Sequence, residues 1–489
     1  MSQLLAPRRL VARAVFRAAI ALVSVSAAVG VSAADTARRG KSETALDRYV
    51  AQPDASYAWK KAAEMADPAG TAYVLDLVSQ NWLTPAEVNR TEWRHWLVIV
   101  KPNVLKHSTA LLFIGGGSNR PGTPPRPGRE LIEIAKATQS VVAELRMVPN
   151  QNLVFNGDGV ERKEDDLIAY TWDKYLKTGD ERWPARLPMT KAAVRAMDAV
   201  TEFLGSTEGG GAKVDTFVVA GGSKRGWTAW TAAAVDRRIV SVVPIVIDVL
   251  NVDVSIEHHY RAYGFYAPAV GDYVRNGIMP WSGTPELKAL YEIEDPFAYR
   301  DRLEMPKLII NAAGDQFFLP DSSRFYFDAL PGTKFLRYIP NTDHGLKDSD
   351  AYRTLSAWHH ATLNRTPLPK FGWKHGAGGA LTVTAQTKPV SVMLWQAHNP
   401  AARDFRLESL GPVWKSTPLS VASAAAGTLT YEASVGKPAQ GWSAYFAELT
   451  FDIGASEPLK LTTDVTVTPD TLPFPSPVAP KPRGFLQKK

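Results

Sequence analysis

Val218-Val219-Ala220-Gly221-Gly222-Ser223-Lys224-Arg225-Gly226-Trp227 runs from an apolar strand through two glycines and a serine into a helical segment. A turn this sharp needs small neighbours, because the backbone of its central residue is strained; it lifts that residue's side chain clear of the sheet at a helix N-terminus. Ser223 occupies that place. The commoner form of the turn has glycine two residues after the serine, whereas here Arg225 stands there and Gly226 follows. A serine at a helix start is also an ordinary N-cap, so the flanking sequence has to decide between the two roles.

On both sides of this stretch, short runs rich in β-branched residues alternate with amphipathic segments. Trp96–Val100, Ala110–Ile114, Ser140–Leu145, Phe217–Ala220, Val240–Ile247, Leu308–Ala312 and Phe335–Ile339 read as strands. Met189, Ala193, Met197, Val200 and Leu204 recur at three- and four-residue steps and mark one face of a helix, and 346–363 reads as a last helix. The pattern predicts an α/β fold: an α/β-hydrolase-like, doubly wound, mostly parallel sheet over residues 35–366. Inserts at about 149–188 and 251–306 interrupt it, and at least one of them is expected to cap a site. Beyond Pro367 the period changes to two, predicting a β-sandwich over 367–472, followed by a Pro-rich extended tail at 473–489.

Later strand ends supply partners for the serine. Asp315 follows Leu308–Ala312 and His344 follows Phe335–Ile339, giving the chain order Ser, Asp, His that this fold uses at the carboxyl edge of its sheet. A serine hydroxyl is a poor nucleophile near neutral pH. An imidazole must take its proton, and a carboxylate must fix the tautomer of that imidazole. His344 is therefore the expected base and Asp315 its partner, with Asp248, at the end of the Val240–Ile247 strand, as the alternative acid. Gly116 and Gly117 in the loop after Ala110–Ile114, together with the amide of Lys224, are the expected oxyanion donors. His258 and His259 read as wall residues, and Glu164, Asp165 and Asp166 as a solvated helix face. Trp395 and Trp442 read as sandwich core, with docking of a polymer or partner as the other possibility.

The first residues carry Arg8, Arg9, Arg13 and Arg17, then an apolar stretch to Val31 and small residues at Ser32, Ala33 and Ala34. This is the pattern of an export signal over residues 1–34, cleaved after Ala33 or Ala34, with a periplasmic or secreted product. Removing those four arginines from a formal charge of +7 leaves +3, too little to suggest a nucleic-acid partner. The absence of cysteine excludes disulfides and thiolate chemistry. No metal-ligand spacing or phosphate loop stands out, so no cofactor is expected, and no second apolar run suggests stable membrane insertion.

Several longer stretches resemble the PhoPQ-activated pathogenicity-related proteins of the PqaA type: Met147–Gln151, Glu164–Trp172, Leu187–Ala192, Gly222–Trp227, Asp248–Asn251, Leu394–Ala397 and Ala402–Arg406. The resemblance implies an α/β-hydrolase-like fold, an exported setting and a link to PhoP/PhoQ-regulated virulence and antimicrobial-peptide resistance. The expected activity is serine hydrolysis of an ester or peptide through an acyl-enzyme. The alternatives are a peptidase degrading cationic peptides and a non-catalytic secreted binding or signalling protein on the same fold.

Overall fold

The computed structural model describes residues 42–120 and 122–487; the stretch read as an export signal lies outside them. Two long antiparallel strands, β1 (Ala58–Asp67) and β2 (Gly70–Asn81), precede the first strand read from the pattern. Sequence periodicity misses β1 because its alanines, lysines, glutamate and methionine are helix formers. Its largely exposed residues are held as a strand by pairing with β2.

The strands that follow are β3 (Glu92–Pro102), β4 (Thr109–Ile114), β5 (Val142–Leu145), β6 (Thr216–Gly222), β7 (Ile239–Ile245), β8 (Lys307–Ala312) and β9 (Lys334–Ile339). They lie in the order β1-β2-β3-β5-β4-β6-β7-β8-β9, parallel from β5 to β9. Alternate residues of β6 feed opposite cores: Phe217 and Val219 on one face, Val218 and Ala220 on the other, all fully buried. Burial on both faces is why this run reads as continuously apolar. Among the helices are α1 (Ala45–Ala51), α2 (Arg129–Thr138), α3 (Glu164–Thr178), α4 (Arg186–Gly205), α5 (Lys224–Val235), α6 (Val252–Tyr263), α7 (Pro285–Glu294) and α8 (Ala351–Asn364). Helices α2 and α8 cover one face of the sheet, α4 and α5 the other. The inserts hold α3, α6 and α7.

The C-terminal antiparallel strands are β10 (Phe371–His375), β11 (Ala380–Ala385), β12 (Ser391–Asn399), β13 (Lys415–Pro418), β14 (Val421–Ala425), β15 (Thr428–Ser434), β16 (Trp442–Phe451), β17 (Leu459–Thr462) and β18 (Thr466–Thr468). Strand β17 pairs with β9, Thr462 opposite Leu336, so the large sheet continues as β17-β16-β12-β13. A second sheet, β10-β11-β15-β14, packs face to face on it: Leu381, Val383 and Tyr431 share a core with Leu394, Tyr445 and Leu449. Arg337 of β9 is buried at the join, ion-paired to Glu448 of β16 and to Asp350.

The Pro-rich segment runs extended from the sandwich back over the second insert. Phe474 fills the space beside Gly264, and Phe485 packs edge-on against Tyr175 of α3. Among the described residues no helix is long and apolar enough to cross a membrane.

Candidate active site

Ser223 sits between β6 and α5 with φ 57° and ψ −128°, in a region that costs a residue bearing a Cβ about 1–3 kcal/mol. Close packing holds it there. A Cβ on Gly221 would lie 2.6 Å from the Arg225 carbonyl oxygen, and one on Gly226 would lie 2.7 Å from that of Gly221. The glycine of the motif is thus displaced by one residue because position 226 faces the strand, while Arg225 points away to bond the Val148 carbonyl (2.5 Å) and Glu164 (2.6 Å).

The loops after β8 and β9 bring Asp315 and His344 together, His344 Nδ1 lying 2.8 Å from Asp315 Oδ2. The other oxygen of Asp315 accepts from the amides of Phe317 (2.7 Å) and Phe318 (3.3 Å), which fixes the carboxylate. Gln316 accepts from the His344 amide at 3.0 Å, and the Phe317 ring packs 4.3 Å from the imidazole. His344 Nε2 is buried and has no hydrogen-bond partner among the described residues; Ser223 Oγ is not bonded to it in this state. Catalytic hydrogen bonds are often long before substrate arrives.

Asp248 lies apart from this pair. Its carboxylate accepts from Tyr326 and Tyr338, each at 2.6 Å, and burial pushes it up to about 7 against those two bonds. His258 is bonded to Asp321, which Arg403 also engages, and His259 Nε2 accepts from the Ala267 amide. Burial lowers His259 to about 4, leaving it an acceptor.

A cavity of about 60 Å³ opens beside Ser223, walled by Trp172, Trp227, Ile247, Val249, Tyr291 and Phe317 among other apolar groups. Both inserts contribute, through Trp172 from the first and Ile278 and Met279 from the second. Lys224 lines it as well; Gly116 and Gly117 do not, and the Arg225 guanidinium packs on Gly116.

The acidic run at the start of α3 is not a solvated face. Glu164 and Asp165 lie 2.8 and 3.0 Å from Lys224 Nζ, Tyr273 donates to Asp165, and Asn276 donates to Asp166. Burial raises the Glu164 carboxyl, but Lys224 and Arg225 outweigh it and hold the group at about 2. Gln151 completes the network by accepting from the Glu164 amide (2.7 Å) and donating to the Gly117 carbonyl (3.2 Å). Sequence periodicity gives no sign of this, since a charge run at a helix start looks the same whether its partners are water or a distant lysine.

The sequence matches the family described as PhoPQ-activated pathogenicity-related protein over residues 46–406. The chain belongs to this family. A relative from Dictyostelium discoideum, autocrine proliferation repressor protein A, is 37% identical over 460 residues, covering 88% of this chain and 92% of that protein. Solved structures similar to this PhoPQ-related chain include an acetyl xylan esterase from Paenibacillus sp. R4 (15% identity, TM-score 0.45, 68% of this chain and 98% of that one). Another is the acylaminoacyl peptidase of Pyrococcus horikoshii (13% identity, TM-score 0.37, 62% and 49%).

In this PhoPQ-related protein the C-terminal domain reaches the site. Leu407 donates to the Gly314 carbonyl at 2.9 Å, immediately before Asp315. Asn341, three residues before His344, exchanges two 2.9 Å bonds with the backbone of Trp414. Trp442 donates to the Thr471 carbonyl (3.2 Å), and both it and Trp395 are half-buried against the core.

Proposed function

We propose that this protein is an exported serine hydrolase that cleaves an ester through an acyl-enzyme. The observation that carries the reading is Ser223, held at a strained strand-to-helix turn beside an apolar cavity whose wall residue Phe317 packs on a histidine already paired with a buried aspartate. In the proposed cycle Ser223 Oγ attacks the acyl carbonyl as His344 Nε2 takes its proton, and Asp315 stabilises the imidazolium. The amide of Lys224 and those of Gly116 and Gly117 are assigned to the developing oxyanion. His344 then protonates the leaving alcohol, and water repeats the sequence on the acyl-enzyme.

An ester is favoured over a cationic peptide because Asp165, the acidic residue of the α3 run that faces the cavity, is already paired with Lys224. Export and cleavage after Ala33 or Ala34, and a role in PhoP/PhoQ-linked virulence or peptide resistance, belong to the same proposal on the strength of the N-terminal pattern and the family. A second reading, a secreted signalling protein without turnover, is favoured by the Dictyostelium relative, an autocrine proliferation repressor protein. Labelling of the mature protein with a fluorophosphonate decides between them. Reaction with wild type that disappears in Ser223→Ala and His344→Ala supports the hydrolase; a folded wild type that does not react supports the signalling reading.

A further inference from the structure

We propose that Glu164 is the positioning residue that sets the two halves of the oxyanion hole against one another: its carboxylate ties the loop carrying Gly116 and Gly117 to the turn carrying Ser223 and Lys224. The inference rests on the hydrolase reading above and gives a role in it to a residue outside the triad.

The two halves start as neighbours. Strands β4 and β6 run parallel with Ile114 opposite Gly221, so the loop after one and the turn after the other leave the same edge of the sheet side by side. In the loop the carbonyls are engaged and the amides are not. The Gly115 carbonyl accepts from the Val148 amide (3.1 Å), that of Gly116 from the Met147 amide (2.9 Å) and that of Gly117 from Gln151 Nε2 (3.2 Å), whereas the amides of Gly116 and Gly117 donate to no acceptor among the described residues. In the turn the Ser223 amide donates to the Ile245 carbonyl (2.8 Å) and the Ser223 carbonyl accepts from Trp227 (3.0 Å), while the amide of Lys224, the first of α5, has no acceptor among the described residues. Unspent amides on two adjoining segments are what a developing oxyanion needs, provided that the gap between them is fixed beforehand.

Glu164 fixes that gap from the start of α3. Its Oε1 accepts from Gln151 Nε2 (2.5 Å) and Arg225 Nη2 (2.6 Å), its Oε2 lies 2.8 Å from Lys224 Nζ, and its amide donates to Gln151 Oε1 (2.7 Å). Gln151 carries the link onward to Gly117, and Lys224 and Arg225 belong to the nucleophile turn. Arg225 also reaches across to the loop side. Its Nε donates to the Val148 carbonyl (2.5 Å), and its guanidinium lies so close over Gly116 that a Cβ there would be 2.7 Å from Nη2. To deliver the carboxylate to this point Glu164 takes a φ of 50°, a left-handed conformation that a residue with a Cβ seldom adopts. Burial raises the carboxyl, but Lys224 and Arg225 hold it at about 2; it therefore moves no proton at neutral pH and acts by where it stands.

The test uses the full mature protein, 4-nitrophenyl acetate as substrate and phenylboronic acid as the probe of the hole, since its adduct with a serine carries a negative tetrahedral centre that the ground-state ester lacks. Glu164→Gln keeps the shape and loses the charge that gathers the three donors. Expected are a fall in kcat of about 30-fold or more with KM within about twofold, a loss of phenylboronic acid affinity by a similar factor, and a wild-type count of serines titrated to completion with a fluorophosphonate. Gln151→Ala should lower kcat comparably, and the double variant should lose little more than either, because both cut one link. Wild-type kcat in Glu164→Gln, a loss that only follows the fall in titrated serine, or losses that multiply in the double variant overturn the positioning role and leave the hydrolase standing. If Glu164→Gln does not fold, Gln151→Ala carries the test with the same expected signature, and an unchanged kcat there overturns the role. Hydrolysis that survives Ser223→Ala, or a folded wild type that neither hydrolyses the ester nor takes the fluorophosphonate, overturns the hydrolase reading and the positioning role with it.

Discussion

Two buried aspartates at neighbouring strand ends have opposite surroundings. Asp315 is fixed by two backbone amides and faces an imidazole, whereas Asp248 is enclosed by two phenols. Sequence alone leaves both eligible as the acid, since each follows an apolar strand; the tyrosines that claim Asp248 come from positions 78 and 90 residues farther along. The difference has a thermodynamic signature. Folded Asp248 keeps its proton up to about pH 7, while the unfolded carboxyl loses it near 4, so between those values the folded state binds more protons and stability falls as pH rises, by up to about 1.4 kcal/mol per unit. Asp248→Asn cannot ionise and keeps the shape. Its melting temperature should therefore gain on wild type from pH 4 to about pH 7 and level off above it, and a constant difference between pH 4 and pH 7 would refute the assignment.

At the scale of elements, the loops after β8 and β9 are tied to one another by Gly314 N to the Thr342 carbonyl (3.1 Å) and to the C-terminal domain by Leu407 and Trp414. Removing the Asn341 amide leaves two backbone groups of Trp414 without partners. Asn341→Ala should cost about 2 kcal/mol of stability and lower kcat about tenfold or more while KM stays within about twofold, because the loop it holds carries His344, the proposed base, and not the cavity wall. Equal losses in kcat and in folded fraction would mean that the bond matters for folding only. Most strands and the α4 helix were legible because burial on both faces or on one stripe leaves a period in the sequence. The Glu164–Lys224–Arg225 network and strand β1 were not, since one depends on contacts between distant segments and the other on a partner strand overriding local preference.

For the whole molecule, the change of period near Pro367 separates two patterns, yet the sheet runs through it. A chain ending at Pro367 would expose the edge of β9, strip Arg337 of Glu448 and uncover apolar residues that β12, β16 and β17 now bury. It should be recovered as aggregate, and a soluble monomer with wild-type ellipticity would show the join to be dispensable. No pattern of period two announces such a join, because pairing of one strand with a strand more than a hundred residues away leaves no local mark.

The Pro-rich segment braces the outer wall of the cavity, Lys481 donating to the Ser282 carbonyl and the Leu486 amide to Glu286, and this bears on the order of synthesis. Residues 474–486 leave the ribosome after every strand of the sheet and every residue that lines the cavity, so a nascent chain can form the turn at Ser223 while the outer wall is still unbraced. The outer wall of the cavity is then braced at a later moment than the sheet beneath it is formed. A polypeptide clipped in this segment by a protease would lose that brace while keeping the turn at Ser223.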